Sequence, residues 1–127
     1  MKKCSVTIAT TVDGRESKVS RQGECVLDRS KTEIRYREEN AEVCVVFENG
    51  TAFITRAGDY SLKLQLRKGE TLAGAIGIEG AEGEVYTRTT RLQYAYQEES
   101  FSLEARYELL TGGEPQKMRI RIVAKES

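Results

Sequence analysis

Two charged side chains fall on strand faces that are otherwise apolar. In EIRYREE, Glu38 lies on the side of Ile34 and Tyr36, and in AFITRAG, Arg56 lies on the side of Ala52 and Ile54. A lone buried charge is costly, so a carboxylate and a guanidinium in such positions must find each other, water or a ligand. Three readings of the pair stay open: a structural brace near a strand end, a polar recognition spot at the mouth of a cavity, and an acid–base pair. In the last, Glu38 would act as general base and Arg56 as electrostatic stabiliser. No nucleophile and no second paired carboxylate accompanies them.

EVYTRTTRL adds hydroxyls to the set. Thr87 and Thr89 continue the face of Val85, while period-two counting puts Tyr86 on the opposite face with Leu92, Tyr94 and Tyr96. A further grouping is basic and aromatic, with Arg35, Tyr36 and Arg37 on one strand and Arg88, Arg91, Arg119 and Arg121 on others. Rings set among arginines can hold single-stranded nucleic acid, and the same Arg and Tyr residues could instead form a protein interaction surface. Glu33, Glu38, Glu84, Glu104 and Glu108 interleave with them, as in ordinary cross-strand pairs, and 20 basic residues balance 20 acidic ones. That balance argues against nucleic acid and against an anionic membrane surface.

What is missing narrows the chemistry. The chain has no His and no Trp, hence no imidazole base, no His metal ligand and no catalytic triad. Cys4, Cys25 and Cys44 are odd in number and far apart, forming neither a zinc pattern nor a disulfide framework. They are expected to be buried free thiols in a reducing compartment. No cofactor and no metal site is expected. The start, MKKCSVTIATT, lacks the apolar stretch of a secretory signal, and no run approaches the ~18 apolar residues of a membrane helix. A cytoplasmic location follows as the expectation.

GETLAGAIGIEG, from Gly69, invites a phosphate-loop reading, since Gly69 and Gly74 have the G-x-x-x-x-G spacing. Such a loop needs Lys and then Ser or Thr after its last glycine, whereas Ala75 and Ile76 follow Gly74. Glycine inside a strand marks a bend, a close approach of other backbone or ligand, or a mobile wall, and these readings stay open.

The elements that must position these residues are strands. DYSLKLQLR, SFSLEARYEL and MRIRIVA alternate apolar and polar residues throughout. Asn49-Gly50 reads as a hairpin turn, and further reversals fall near Gly58, Gly69 and Gly112-Gly113. About ten strands are expected, at 4–12, 21–28, 32–39, 42–48, 51–57, 59–67, 71–79, 83–97, 100–110 and 117–124. No helix is expected. At 127 residues this makes one domain, 1–127. Ten short-linked strands suit an all-β antiparallel up-and-down barrel of about 8–10 strands, whose closure removes exposed edges. A two-sheet sandwich is the alternative.

Three stretches resemble the YwiB-like proteins, an uncharacterised group of small bacterial β-barrels with a calycin (lipocalin)-like fold. They are GECVLDRSKTEIRYREE from Gly23, RAGDYSLKLQLRKG from Arg56 to Gly69, and EVYTRTTRL followed by ARYEL. Tyr36, Glu38, Arg56, Thr87, Thr89 and Tyr107 match recurrent polar residues of that group. The chain departs from it at LAGAIGIEG, where relatives carry a Tyr-bearing stretch with a single glycine. By fold analogy the resemblance implies binding of a small hydrophobic or amphipathic molecule in or at the mouth of the barrel. It implies no activity. The expectation is a non-catalytic module, monomeric or homodimeric, with those six residues as ligand-binding candidates and Tyr60, Leu62, Leu64, Phe101 and Leu103 as core or cavity wall.

Overall fold

The computed structural model covers residues 1–127 and contains ten strands and no helix. They are β1 (Lys2–Val12), β2 (Arg15–Leu27), β3 (Thr32–Glu38), β4 (Ala41–Glu48), β5 (Thr51–Gly58), β6 (Tyr60–Arg67), β7 (Thr71–Ile78), β8 (Ala81–Gln97), β9 (Ser100–Leu110) and β10 (Gln116–Glu126). Each pairs antiparallel with the next, and β1 pairs with β10 to close the barrel. The up-and-down order is consistent with a calycin-like barrel and replaces the sandwich alternative. No helix is long and apolar enough to cross a membrane.

Alternation explains the interior. Val6 and Ile8, Val43, Val45 and Phe47, Leu64 and Leu66, and Phe101, Leu103 and Ala105 all point inward, within one cluster of 21 buried residues. The strands are steeply inclined to the barrel axis. From Cys4, successive register partners Gly23, Tyr36, Val43, Arg56, Leu62 and Ile76 lead to Gly83 on β8. In the other direction, the partner of Cys4 is Glu126, which bonds Glu99, beyond the far end of β8. Such a stagger is the shear that lets a sheet close on itself.

Three features depart from the alternation pattern. β2 starts at Arg15 rather than near 21, because Arg15–Ser20 are exposed on both faces and carry no burial pattern; pairing to β1 holds them. β2 meets β3 only over Gly23–Leu27, so the edge of Arg15–Gln22 facing away from β1 has no backbone partner. Closure therefore does not remove every edge. The third departure is a β-bulge in β8. Thr89 pairs with Tyr107 and Arg91 with Arg106, leaving Thr90 as an extra residue. Leu92, Tyr94 and Tyr96 therefore share the inward side with Val85, Thr87 and Thr89, correcting the strict period-two reading that separated them.

The glycines of β7 serve the backbone. A Cβ on Gly74 would collide with the Lys63 carbonyl oxygen, so only glycine lets β7 cross this close to β6. At the β4–β5 hairpin, Asn49 and Gly50 both take positive φ, as the Asn-Gly turn requires.

Candidate functional site

Arg56 occupies the inward register of β5, after Ile54, and its side chain is 9% exposed. Pairing of β5 with β6 ends at Arg56 and Leu62, and the turn through Ala57–Ser61 folds Tyr60 back over Arg56. The guanidinium carbon lies 3.6 Å from the Tyr60 ring centre, a cation–π contact. Nη1 donates to the Tyr60 carbonyl at 2.7 Å and meets Asp59 Oδ1 at 2.8 Å. Across the end of the barrel, Glu38 Oε1 stands 3.9 Å from Arg56 Nε, which is buried and donates no hydrogen bond.

Tyr36 completes the group from β3, separated from Arg56 along the lateral row by Val43. Burial pushes its phenol up to about 12, and Glu38 adds to the rise. It therefore stays protonated across the ordinary pH range. Its hydrogen bond to Arg56 holds the Asp59 carboxyl below the usual carboxylate range. An ionised cluster, a neutral phenol and one uncommitted buried donor can hold a polar group. Nothing among them is activated as a nucleophile.

The other three candidates stand apart, on β8 and β9. β6 and β7 pair only through Tyr60–Lys63 and Ala75–Ile78. In the gap beyond, Gln65 Nε2 donates to the Ala73 carbonyl at 3.1 Å, and Thr87 Oγ1 donates to the Gln65 carbonyl. Thr87 thus stitches the barrel wall. Thr89 is buried beside Tyr107, its register partner, and its Oγ1 has no hydrogen-bond partner. Burial raises the Tyr107 phenol to about 12.

Sequence reasoning did not single out Asp59 or the role of Tyr60 as a cover for Arg56. The A-G-D-Y turn next to Arg56 was the available signal, since so short a reversal must return Tyr60 beside it. Cys4 and Cys25 are buried free thiols, with Cys4 pushed up to about 12 by burial and by Cys25. Cys44 corrects the expectation. It is free but only half-buried, because Val43 and Val45 take the inward register and leave it on the outer face.

The barrel interior is occupied by side chains, and a concavity of about 860 Å³ lies on the outer face of β2–β5. Gln22, Arg35, Arg37, Glu42, Cys44 and Thr55 line it. No group of three or more metal-ligating side chains gathers anywhere in the chain.

The family model described as "Domain of unknown function (DUF1934)" matches residues 3–122, and the chain belongs to that family. Among solved structures, the crystal structure of the ywiB protein from Bacillus subtilis is similar, with a TM-score of 0.84 at 16% identity over 99% of this chain and 92% of that one. At that identity the similarity shows the fold. No curated protein matches the chain.

Proposed function

We propose that this member of the DUF1934 family is a non-catalytic binding module that takes a small amphipathic ligand at the Arg56 end of its barrel. Because side chains fill the interior, the ligand sits at the mouth. Leu62 and Ile76, both half-buried, continue the lateral row beyond Arg56, and Ile78 faces Tyr60 in register while 57% exposed. These apolar surfaces offer a seat for the ligand's tail.

One observation carries this reading: a nine-tenths buried guanidinium keeps Nε free of any hydrogen bond, with Glu38 too distant to accept one. A buried donor left unmade costs about 1–3 kcal/mol, which an oxygen of a ligand's head group would offset. Glu38 and the protonated Tyr36 flank that position, and Thr87, Thr89 and Tyr107 support the wall rather than the seat.

Native mass spectrometry of the protein purified from its own host tests the proposal. A retained small molecule, lost in Arg56→Gln while the barrel stays folded, is the expected result. A barrel that always emerges empty would sink it, as would a ligand retained equally by the variant.

A further inference from the structure

The outer face of β8–β10 sets arginine directly opposite arginine. Arg91, Arg106 and Arg119 are successive register partners on three adjacent strands, all exposed. Strands lie about 4.8 Å apart, so three arginine side chains leave neighbouring positions on one face, and like charges in directly opposed positions destabilise a sheet. Other opposed arginines face acids, as Arg88 faces Glu108 at 2.6 Å and Arg37 faces Glu42 at 2.8 Å, while the unpaired Arg15 and Arg21 face Val12 and Val6 rather than another arginine.

Counter-charge within the row is thin. Arg119 pairs with Glu104 at 2.9 Å, while Arg91 reaches only the side-chain oxygen of Gln93, at 3.1 Å. Neither Arg91 nor Arg106 has a carboxylate within ion-pair distance, and Arg121, the register partner of Glu104, also has none. Glu104 serves the group almost alone. Its carboxyl is held below the usual range by Arg119 first, with Arg106 and Arg91 adding to the effect. Glu16 approaches Arg119 from the β1–β2 side, and Glu108 is taken by Arg88.

The Thr90 bulge builds this row. Regular pairing would set Thr90 opposite Arg106; the extra residue, whose Oγ1 donates to the Arg106 carbonyl at 3.3 Å, sets Arg91 there instead. Bulges that re-aim a side chain are frequent at binding sites. Two shallow outer grooves meet at Arg119. One, of about 400 Å³, includes Arg106 and Lys117, and the other, of about 300 Å³, includes Arg121 and Lys18.

We propose that Arg91, Arg106 and Arg119, flanked by Lys117 and Arg121, form a binding site for a ligand carrying two or more neighbouring phosphate groups, a linear oligophosphate or its ester. Guanidinium forks match phosphate oxygens bidentately, and a bound polyanion would relieve the repulsion within the row. No aromatic side chain stands in the outer rows of Arg91, Arg106 and Arg119 or of Gln93, Glu104 and Arg121. Their absence favours phosphate groups over stacked bases.

Calorimetric titration of the full chain at low salt with inorganic tripolyphosphate tests the site, alongside a single-stranded oligonucleotide and sodium sulfate. Expected is tripolyphosphate binding that weakens roughly tenfold or more in Arg106→Gln and in Arg91→Gln, since each loses charged hydrogen bonds. Arg37→Gln, on another face, should bind unchanged. Without ligand, Arg106→Gln should melt no lower than the parent chain, because repulsion is removed. Absent binding, or binding equal in all variants, overturns the proposal. Sulfate competing as well as tripolyphosphate reduces the row to a general anion surface and also overturns it. Oligonucleotide binding that tripolyphosphate does not displace would hand the face to nucleic acid instead.

Discussion

The two ends of the barrel are finished by different chemistry. At the end formed by the turns near 28–31, 49–50 and 98–99, Phe47 packs 4.6 Å from Tyr94 and 5.8 Å from Phe101, and Tyr96 lies 4.8 Å from Phe101. Tyr96 Oη meets the Thr32 hydroxyl and donates to the Asp28 carbonyl, and Arg29 stacks over its ring. At the opposite end a single ring, Tyr60, covers a guanidinium held by Asp59 and faced by Glu38. The aromatic end gains from area removed from water, and its few polar atoms bond one another. The Arg56 end has ion pairs that solvent screens and a buried donor left over. One end is built for stability, and the other tolerates an unmet demand.

The contrast breaks most directly at Phe101. Phe101→Ala should cost about 3–5 kcal/mol in urea unfolding, as a fully buried ring leaves a cavity. A loss below about 1 kcal/mol would mean the aromatic end is not the anchor. The alkaline limb is next. The folded Tyr36 phenol titrates at about 12 against an ordinary value of 10.0. The unfolded chain therefore releases that proton first, and stability is full below pH 10 and falls as pH rises toward 12. The decline is about 1.4 kcal/mol per pH unit for this group, and Tyr36→Phe should make the plot of urea midpoint against pH less steep, with Tyr107 and Cys4, both raised to about 12, supplying the remaining slope.

Arg56→Met should cost about 1–2 kcal/mol, less than the aromatic truncation despite comparable burial, because half-exposed carboxylates and water share the charge. Equal losses at Phe101 and Arg56 would erase the distinction between the ends. Tyr96→Phe removes the hydroxyl at the aromatic end, for about 1 kcal/mol. The smallest effect belongs to Arg37→Ala, where both partners of the Glu42 pair are exposed; a thermal shift corresponding to less than about 0.5 kcal/mol is expected.

Most of the architecture was legible because a half-buried strand writes its orientation into every second residue. DYSLKLQLR marks β6 nearly to the residue, and Asn49-Gly50 marks the β4–β5 hairpin. Legibility failed where that signal was interrupted or absent. Thr89 and Thr90 are alike to the eye, so the extra residue between two registers leaves no compositional mark, and period-two counting puts the inward Leu92, Tyr94 and Tyr96 of β8 on the wrong face. Arg15–Ser20 are held only by main-chain bonds to β1, which do not depend on side-chain type. Within the candidate site, the inward register of Glu38 and Arg56 was readable from alternation, and their approach is a product of barrel stagger. Separation of Thr87 and Thr89 from that pair is not readable, because it depends on the register of β6, β7 and β8, which carries the Arg56 row to Gly83.

The bare edge of β2 has a consequence for how the molecules behave in company. Arg15–Gln22 offer main-chain donors and acceptors on one side to any extended chain that approaches. Arg15, Glu16, Lys18 and Arg21 decorate that edge. Two copies brought together with Lys18 facing Lys18 would repel, so the same residues that leave no burial pattern act as gatekeepers against fibrous, edge-to-edge growth. Concentrated protein should accordingly stay dispersed at low salt and become more prone to cluster as screening rises.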